Sequence, residues 1–356
     1  MLKRSQMLGE LSAGKFVMAV AGTHGKTTTS TLVSWLNYAA AGEGSAFLGG
    51  VSKNFDSNLV LGAGRRLAVE ADEFDRSFLQ LFPETAVITS MDADHLDIYG
   101  DEEHIRAAFK EFASQVSGTV IAKYGIDITP ADTQARIFTY SFGDAHADFY
   151  AEPVGTEGHF NLHYPGGVIE DCVVGIPGWV NIENAVGASA IGLVYGLDPQ
   201  KIKEALRTFS GVKRRFDLQV RKPGCVYIDD YAHHPEEISA ALSSIRKAYP
   251  SMKLTAAFQP HLYTRTRDFA EEFAQALSNV DKLILLDIYP AREEPIPGVT
   301  SEIIFKDVTA PEKVLLKRSE FMEYMQNEEV ELLVTLGAGD IDRFVGPIAQ
   351  MLEDRK

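Results

Sequence analysis

At 356 residues the chain is long enough for two α/β domains, each with a sizeable core. Its 34 Lys and Arg against 50 Asp and Glu give a net charge of −16, which argues against sequence-independent binding to nucleic acid or to an anionic membrane. Two cysteines in separate regions, Cys172 and Cys225, supply neither a disulfide framework nor a cysteine metal site, and the absence of a long apolar run argues against membrane insertion, so a cytoplasmic location is expected.

The N-terminal MLKRSQMLGELSAGK lacks the apolar centre of a signal peptide and reads as a helix leading into a strand, the apolar run from Phe16 to Ala21. GTHGKTTTS follows at residues 22 to 30, and TLVSWLNYAA then reads as a helix. Strand, glycine turn and helix together predict a phosphate cradle. Gly22 and Gly25 let backbone N–H groups converge, Lys26 adds a positive charge, and Thr27 offers a hydroxyl to magnesium. Val20 stands where the generic phosphate-loop pattern has its first Gly, so only the G-K-T core of that pattern is kept.

LAVEA within RRLAVEADEFD predicts a buried strand with Glu70, Asp72, Glu73 and Asp75 at its end. TAVITSMDADHLD repeats the plan, with Asp92, Asp94, His95 and Asp97 after the strand AVITS. Ligands of open α/β sheets bind beyond the carboxyl ends of strands, which would bring both clusters to the phosphate turn. Oxygen ligands beside phosphate suit magnesium, and Glu70 and His95 are the candidates, although a solvated strand end also accounts for single carboxylates. IPGWVNIENAVGASAIGLVYGL predicts a helix with Asn181 and Asn184 near its start, where Asn181 is as well suited to capping.

GVKRRFDLQ reads as a linker, placing a first domain at residues 1–211 and a second at 212–356. CVYIDDYAHHP, KLTAAFQPHLYTRTRD, DKLILLDIYPAREEP and ELLVTLGAGDIDRF each carry an apolar strand followed by polar residues, with helical stretches such as EEISAALSSIRKAY between them. That alternation predicts a parallel sheet with helices on its faces. His233 and His234 are adjacent and lack further zinc-ligand spacing, while His261, Arg265 and Arg267 suit a carboxylate or phosphate. GAGD at 337 to 340 lacks the third Gly of a dinucleotide fingerprint.

Taken in order, GTHGKTTT, EADEFD, DADHLD, NIEN, RRFD, DDYAHHP, FQPHLYTRTRD and YPAREEPIPG span nearly the whole chain, and the series resembles the Mur ligases. The resemblance implies a central P-loop ATPase domain with a mostly parallel sheet, followed by a Rossmann-like C-terminal α/β domain. It implies ATP and Mg2+ as cofactors, and formation of an acyl phosphate on a UDP-sugar carboxylate that an amine then attacks. RRFD, FQPHLYTRTRD and YPAREEPIPG look more like the branch that uses UDP-N-acetylmuramate and L-alanine than the one that reattaches a recycled tripeptide. A nucleotide-binding module without ligase chemistry is the alternative of another class.

Carried over residue by residue, the resemblance implies that Gly22, Thr23, His24, Gly25, Lys26, Thr27 and Thr28 hold the ATP phosphates. Thr27, Glu70 and His95 would form the magnesium site. Asn181 and Asn184 would face adenine, and Arg215 and Asp230 would reach the nucleotide. Catalytic roles would fall to Lys26, His95, Arg215 and Asp230, and substrate contacts to His234, His261, Arg265 and Arg292. Val180 and Leu262 depart from the family pattern, which has His before NxxN and Arg in PHRYTR. Lys110 matches by spacing a lysine that several relatives carbamylate, or is a surface helix lysine. Family members begin with a separate UDP-binding domain, whereas a short helix precedes the phosphate turn here. The expectation is therefore a piece of a longer protein, or a chain that relies on another, with little or no turnover by itself. Oligomeric state is not legible.

Overall fold

The apolar run Phe16–Ala21 becomes an interior strand of a large sheet in a computed structural model that describes residues 3–92, 99, 101–155 and 158–355, the side chain of Glu102 excepted. It pairs in parallel with Arg66–Glu70 on one side and Thr85–Ile88 on the other. Among the described residues that sheet has ten strands. Thr119–Lys123, Arg136–Phe142 and Phe149–Pro153 extend it in parallel beyond Thr85–Ile88, and His159–Tyr164 and Gly167–Val173 then add an antiparallel edge. Ser45–Ser52 pairs in parallel with Arg66–Glu70, and Ser57–Val60 closes the opposite edge as an antiparallel hairpin partner.

Side chains alternate across a strand, so both faces of the interior strands must be covered. Met18, Val20, Ala68, Val87 and Ile121 point to one face, where Leu32, Val33 and Leu36 of the helix Lys26–Ala41 and Ala185, Val186 and Ala188 of the helix Trp179–Val194 meet them. Val17, Ala19, Val69, Ala86, Ile88 and Val120 point to the other. There they pack with Phe78 and with Ile105, Phe109 and Phe112 of the helix Glu102–Ser114.

The chain divides into two compact units, Met1–Lys213 and Arg214–Lys356. In the second, six strands among the described residues run in the order Asp217–Lys222, Cys225–Asp230, Leu332–Leu336, Leu254–Phe258, Lys282–Leu286 and Glu312–Leu316. Every pairing is parallel except the first. Alternation repeats here: Ile228, Ala256, Phe258, Leu285 and Val334 pack with the helices Pro235–Ala248 and Ala270–Leu277. Tyr227, Ala257, Ile284 and Leu333 pack with Phe321–Asn327 and Val345–Asp354. The predicted parallel sheet with helices on both faces is what forms.

Phe78 is fully buried, stacked on Phe112 at 5.0 Å between ring centroids and edge-on to Phe109 at 5.2 Å. Phe78→Ala should cost about 3–5 kcal/mol in chemical denaturation of the first unit. A loss below about 1 kcal/mol would show that the segment after Glu70 repacks freely.

Candidate active site

Parallel pairing brings the ends of three strands together, and the candidate phosphate site grows from them. The turn after Ala21 is pressed against the segment after Ile88. Gly22 has φ 136°, and a Cβ there would stand 2.1 Å from Thr89 Oγ1 and 2.8 Å from the Ser90 nitrogen. Thr89 donates to the carbonyls of Ala21 and His24, while Ser90 Oγ accepts from the His24 N–H at 2.8 Å and shares a hydrogen bond with Thr23 Oγ1 at 2.7 Å. The Thr23 hydroxyl also accepts from the Asp92 N–H at 3.2 Å. Gly25, at φ 80°, caps the helix that begins at Lys26, and a Cβ there would meet Asn184 Oδ1 at 2.8 Å. At Gly22 and Gly25 the cradle thus leaves no room for a larger residue, and it opens on a helix N-terminus whose first N–H groups lack intrahelical partners.

Three side chains add charge and ligands. Lys26 Nζ donates to Glu73 Oε1 at 2.7 Å and to the Thr23 carbonyl at 3.4 Å. Glu73 is buried, which pushes its carboxyl above the usual range, and Lys26 partly offsets that rise. Thr27 Oγ1 donates to Glu70 Oε1 at 3.1 Å, while Glu70 Oε2 accepts from Ser30 Oγ at 3.3 Å and from the Gly49 N–H at 3.0 Å. Among the described residues no three His, Cys, Asp or Glu side chains gather at metal-binding spacing. A hydroxyl and a carboxylate within a hydrogen bond of each other, beside an anion cradle, nevertheless fit the way magnesium binds, through one or two protein oxygens plus phosphate. A cavity of about 160 Å³ adjoins Glu70, lined by Arg4, Leu8, Phe47, Leu48, Gly49 and Asp72.

In the second unit the polar residues also collect where strands end. Asp230 is buried with both oxygens occupied: Oδ2 accepts from the Phe216 N–H at 2.7 Å and Oδ1 from the Ala232 N–H at 2.8 Å. Burial raises its carboxyl, opposed by the nearby Arg215 charge. Asp229, also buried, is pushed up to about 6, opposed by Arg214, whose Nε donates to it at 3.2 Å. Both arginines lie over the Tyr231 ring, at 5.0 and 5.3 Å from its centroid. His261 stacks on Tyr289 at 5.7 Å and meets His233 edge-on at 6.0 Å.

Burial lowers His233, and burial with the charges of its neighbours His233 and Arg265 lowers His261 to about 4. His261 Nδ1 and one terminal nitrogen of Arg265 are buried with no hydrogen-bond partner among the described residues. A buried guanidinium nitrogen without a protein acceptor, beside an imidazole, suits a carboxylate.

The matches with known proteins agree with this geometry. Residues 20–192 match the Mur ligase middle domain, and residues 214–341 match the Mur ligase glutamate ligase domain. A UDP-N-acetylmuramate–L-alanine ligase of Parabacteroides distasonis is 47% identical over 99% of this chain and 77% of its own length. The protein of that name from Phocaeicola vulgatus is 45% identical over 99% of this chain and 78% of its own length. This chain belongs to the Mur ligase family. The solved UDP-N-acetylmuramate–alanine ligase of Thermotoga maritima shares its fold, with a TM-score of 0.79 at 24% identity, over 99% of this chain and 78% of that one.

Set against expectation, this Mur ligase brings together Gly22, Thr23, His24, Gly25, Lys26, Thr27 and Glu70. Thr28 is buried in the helix that follows the turn. His95, with Asp94 and Asp97, lies outside the described residues. Asn184 faces the phosphate turn itself, whereas Asn181 turns back to donate to the Pro177 carbonyl. Asp230, expected to reach the nucleotide, has its carboxylate turned inward and organises the Arg214–Phe216 turn, because two backbone N–H groups claim its oxygens. His234, expected at the substrate, instead packs edge-on to Phe269 at 4.8 Å. Its neighbour His233 is the one beside His261, and the helix begins at Pro235 directly after the pair.

Arg292 is exposed. Lys110 donates to Asp127 at 2.9 Å and lies 3.5 Å from Asp132, and the Asp127 hydrogen bond raises its pKa. A carbamate there would put a third anion between two, so the Asp127 and Asp132 carboxylates would oppose it. Glu73, Thr89 and Ser90 in the first cluster, and Arg214, Asp229, Tyr231, His233 and Tyr289 in the second, are parts to which the motifs assigned no individual role.

His261 should titrate near pH 4 in NMR spectra of its ring protons; a midpoint near 6.5 would contradict the half-buried placement beside His233 and Arg265. Because the folded value lies below the ordinary 6.5, its contribution to stability is complete above about 6.5 and is lost as pH falls toward about 4. His261→Gln should flatten that part of the pH–stability curve.

Proposed function

We propose that this Mur ligase joins L-alanine to the carboxylate of UDP-N-acetylmuramate with ATP, through an acyl phosphate, in peptidoglycan precursor synthesis. The observation that carries the reading is the Thr27–Glu70 pair, 3.1 Å apart beside Lys26 on a glycine-lined turn. The substrates follow from the names of the relatives at 44–47% identity. A cytoplasmic setting goes with two buried free thiols, and no helix among the described residues is long and apolar enough to cross a membrane.

In this reading the turn's N–H groups and Lys26 hold and neutralise the ATP phosphates, so that charge shifting during transfer meets fixed dipoles. Thr27 and Glu70 hold magnesium, which, when bound, neutralises phosphoryl oxygens as a Lewis acid. Asn184 braces the turn at Gly25. The Arg265 guanidinium, with the neutral His261 and His233, binds the carboxylate of L-alanine and leaves its amine unprotected for attack. Asp230 and Asp229 act one step back, as positioning residues that hold the turn carrying Arg214 and Arg215.

Calorimetric titration of magnesium and a non-hydrolysable ATP analogue tests the phosphate site. Lys26→Ala should weaken binding at least about tenfold, or 1.4 kcal/mol; equal binding by both proteins would remove the site from the reading. Mass spectrometry of the nucleotide-sugar product after incubation with ATP, UDP-N-acetylmuramate and either L-alanine or the tripeptide tests the substrate.

A further inference from the structure

We propose that Glu73 is a latch on the phosphate turn, cancelling the charge of Lys26 until the phosphates of a nucleotide take its place. The proposal rests on the phosphate-site reading above and adds to it a device that keeps the site from accepting lesser anions.

The two carboxylates that follow the strand Arg66–Glu70 divide the turn between them. Glu70 is committed to the hydroxyls of Thr27 and Ser30 and to the Gly49 N–H, whereas Glu73 is committed to the ammonium of Lys26. The Lys26–Glu73 contact is 2.7 Å long, with side-chain exposures of 14% and 0%, so water screens it little. Glu73 is also held in place. Its carbonyl accepts from Tyr99 OH at 2.6 Å, and the segment after it is anchored by the buried Phe78.

An incoming anion therefore meets a neutral pair rather than a bare ammonium. To use the Lys26 charge it must compete with a fixed, buried carboxylate, and the burial that raises the Glu73 carboxyl makes that partner costly to abandon. A single phosphate has few other contacts with which to offset that cost. A nucleotide has the whole cradle. By linkage, whatever the pair contributes to holding Lys26 is subtracted from nucleotide affinity, and removing the negative charge returns it.

Isothermal titration of ADP, and separately of inorganic phosphate, into the wild type, Glu73→Gln, Lys26→Ala and the double variant tests the latch. The expected result is that Glu73→Gln binds ADP at least tenfold tighter and gains measurable phosphate binding. In the Lys26→Ala background the same change should shift affinity less than twofold, which a merely structural role for Glu73 would not produce. Unchanged or weaker ADP binding by folded Glu73→Gln, with the wild type binding normally, overturns the latch and leaves the phosphate site standing. No nucleotide binding by the wild type overturns both. Should circular dichroism show Glu73→Gln unfolded, Glu73→Asp replaces it: its shorter carboxylate withdraws from Lys26, and tighter binding supports the latch while equal or weaker binding overturns it.

Discussion

The parallel pairing of Phe16–Ala21 with Arg66–Glu70 and Thr85–Ile88 is the constraint on which the first unit's chemistry depends. Parallel strands end on the same side, so three segments far apart in sequence deliver the glycine turn, the two glutamates and the Thr89–Ser90 buttress to one place. The burial of both sheet faces fixes the register, since a slip of one residue would turn Met18 and Val20 to the opposite side. The geometry of the phosphate turn is thus secured by apolar residues that never approach a ligand.

The second unit solves a related problem with buried charge. Asp229 and Asp230 end a strand whose other residues are apolar, and each gives up its hydration to hold an arginine-bearing turn. Such burial is costly unless every oxygen is engaged, and for Asp230 two backbone N–H groups do so. Arg214 and Phe216 adopt positive φ angles of 63° and 45° there, a strained path that the aspartates stabilise. The guanidinium groups are consequently offered on a fixed support instead of a free loop.

Much of this was readable in the chain. Unbroken apolar runs bounded by turn residues, as in AVITS and KLILL, announce strands buried on both faces, and G-K-T at a strand-to-helix junction announces an anion site. Arg136–Phe142 and the three strands that follow it are not announced in that way. In HFNLHY polar and apolar residues alternate, and only Phe160 and Leu162 are buried, so the strand lacks the unbroken apolar run of the interior strands. Within the sites, motif spacing located Lys26, Thr27 and Glu70 but could not tell which of His233 and His234 faces His261, nor that Asp230 looks inward. Those outcomes turn on one residue of helix start and on competition for hydrogen bonds, which sequence spacing does not express.

Lys110 carries a last consequence. Carbon dioxide adds only to a neutral amine, and the Asp127 and Asp132 carboxylates raise the pKa of Lys110 and so disfavour that form. The clasp they form fastens the helix Glu102–Ser114 to the segment that carries Asp127 and Asp132.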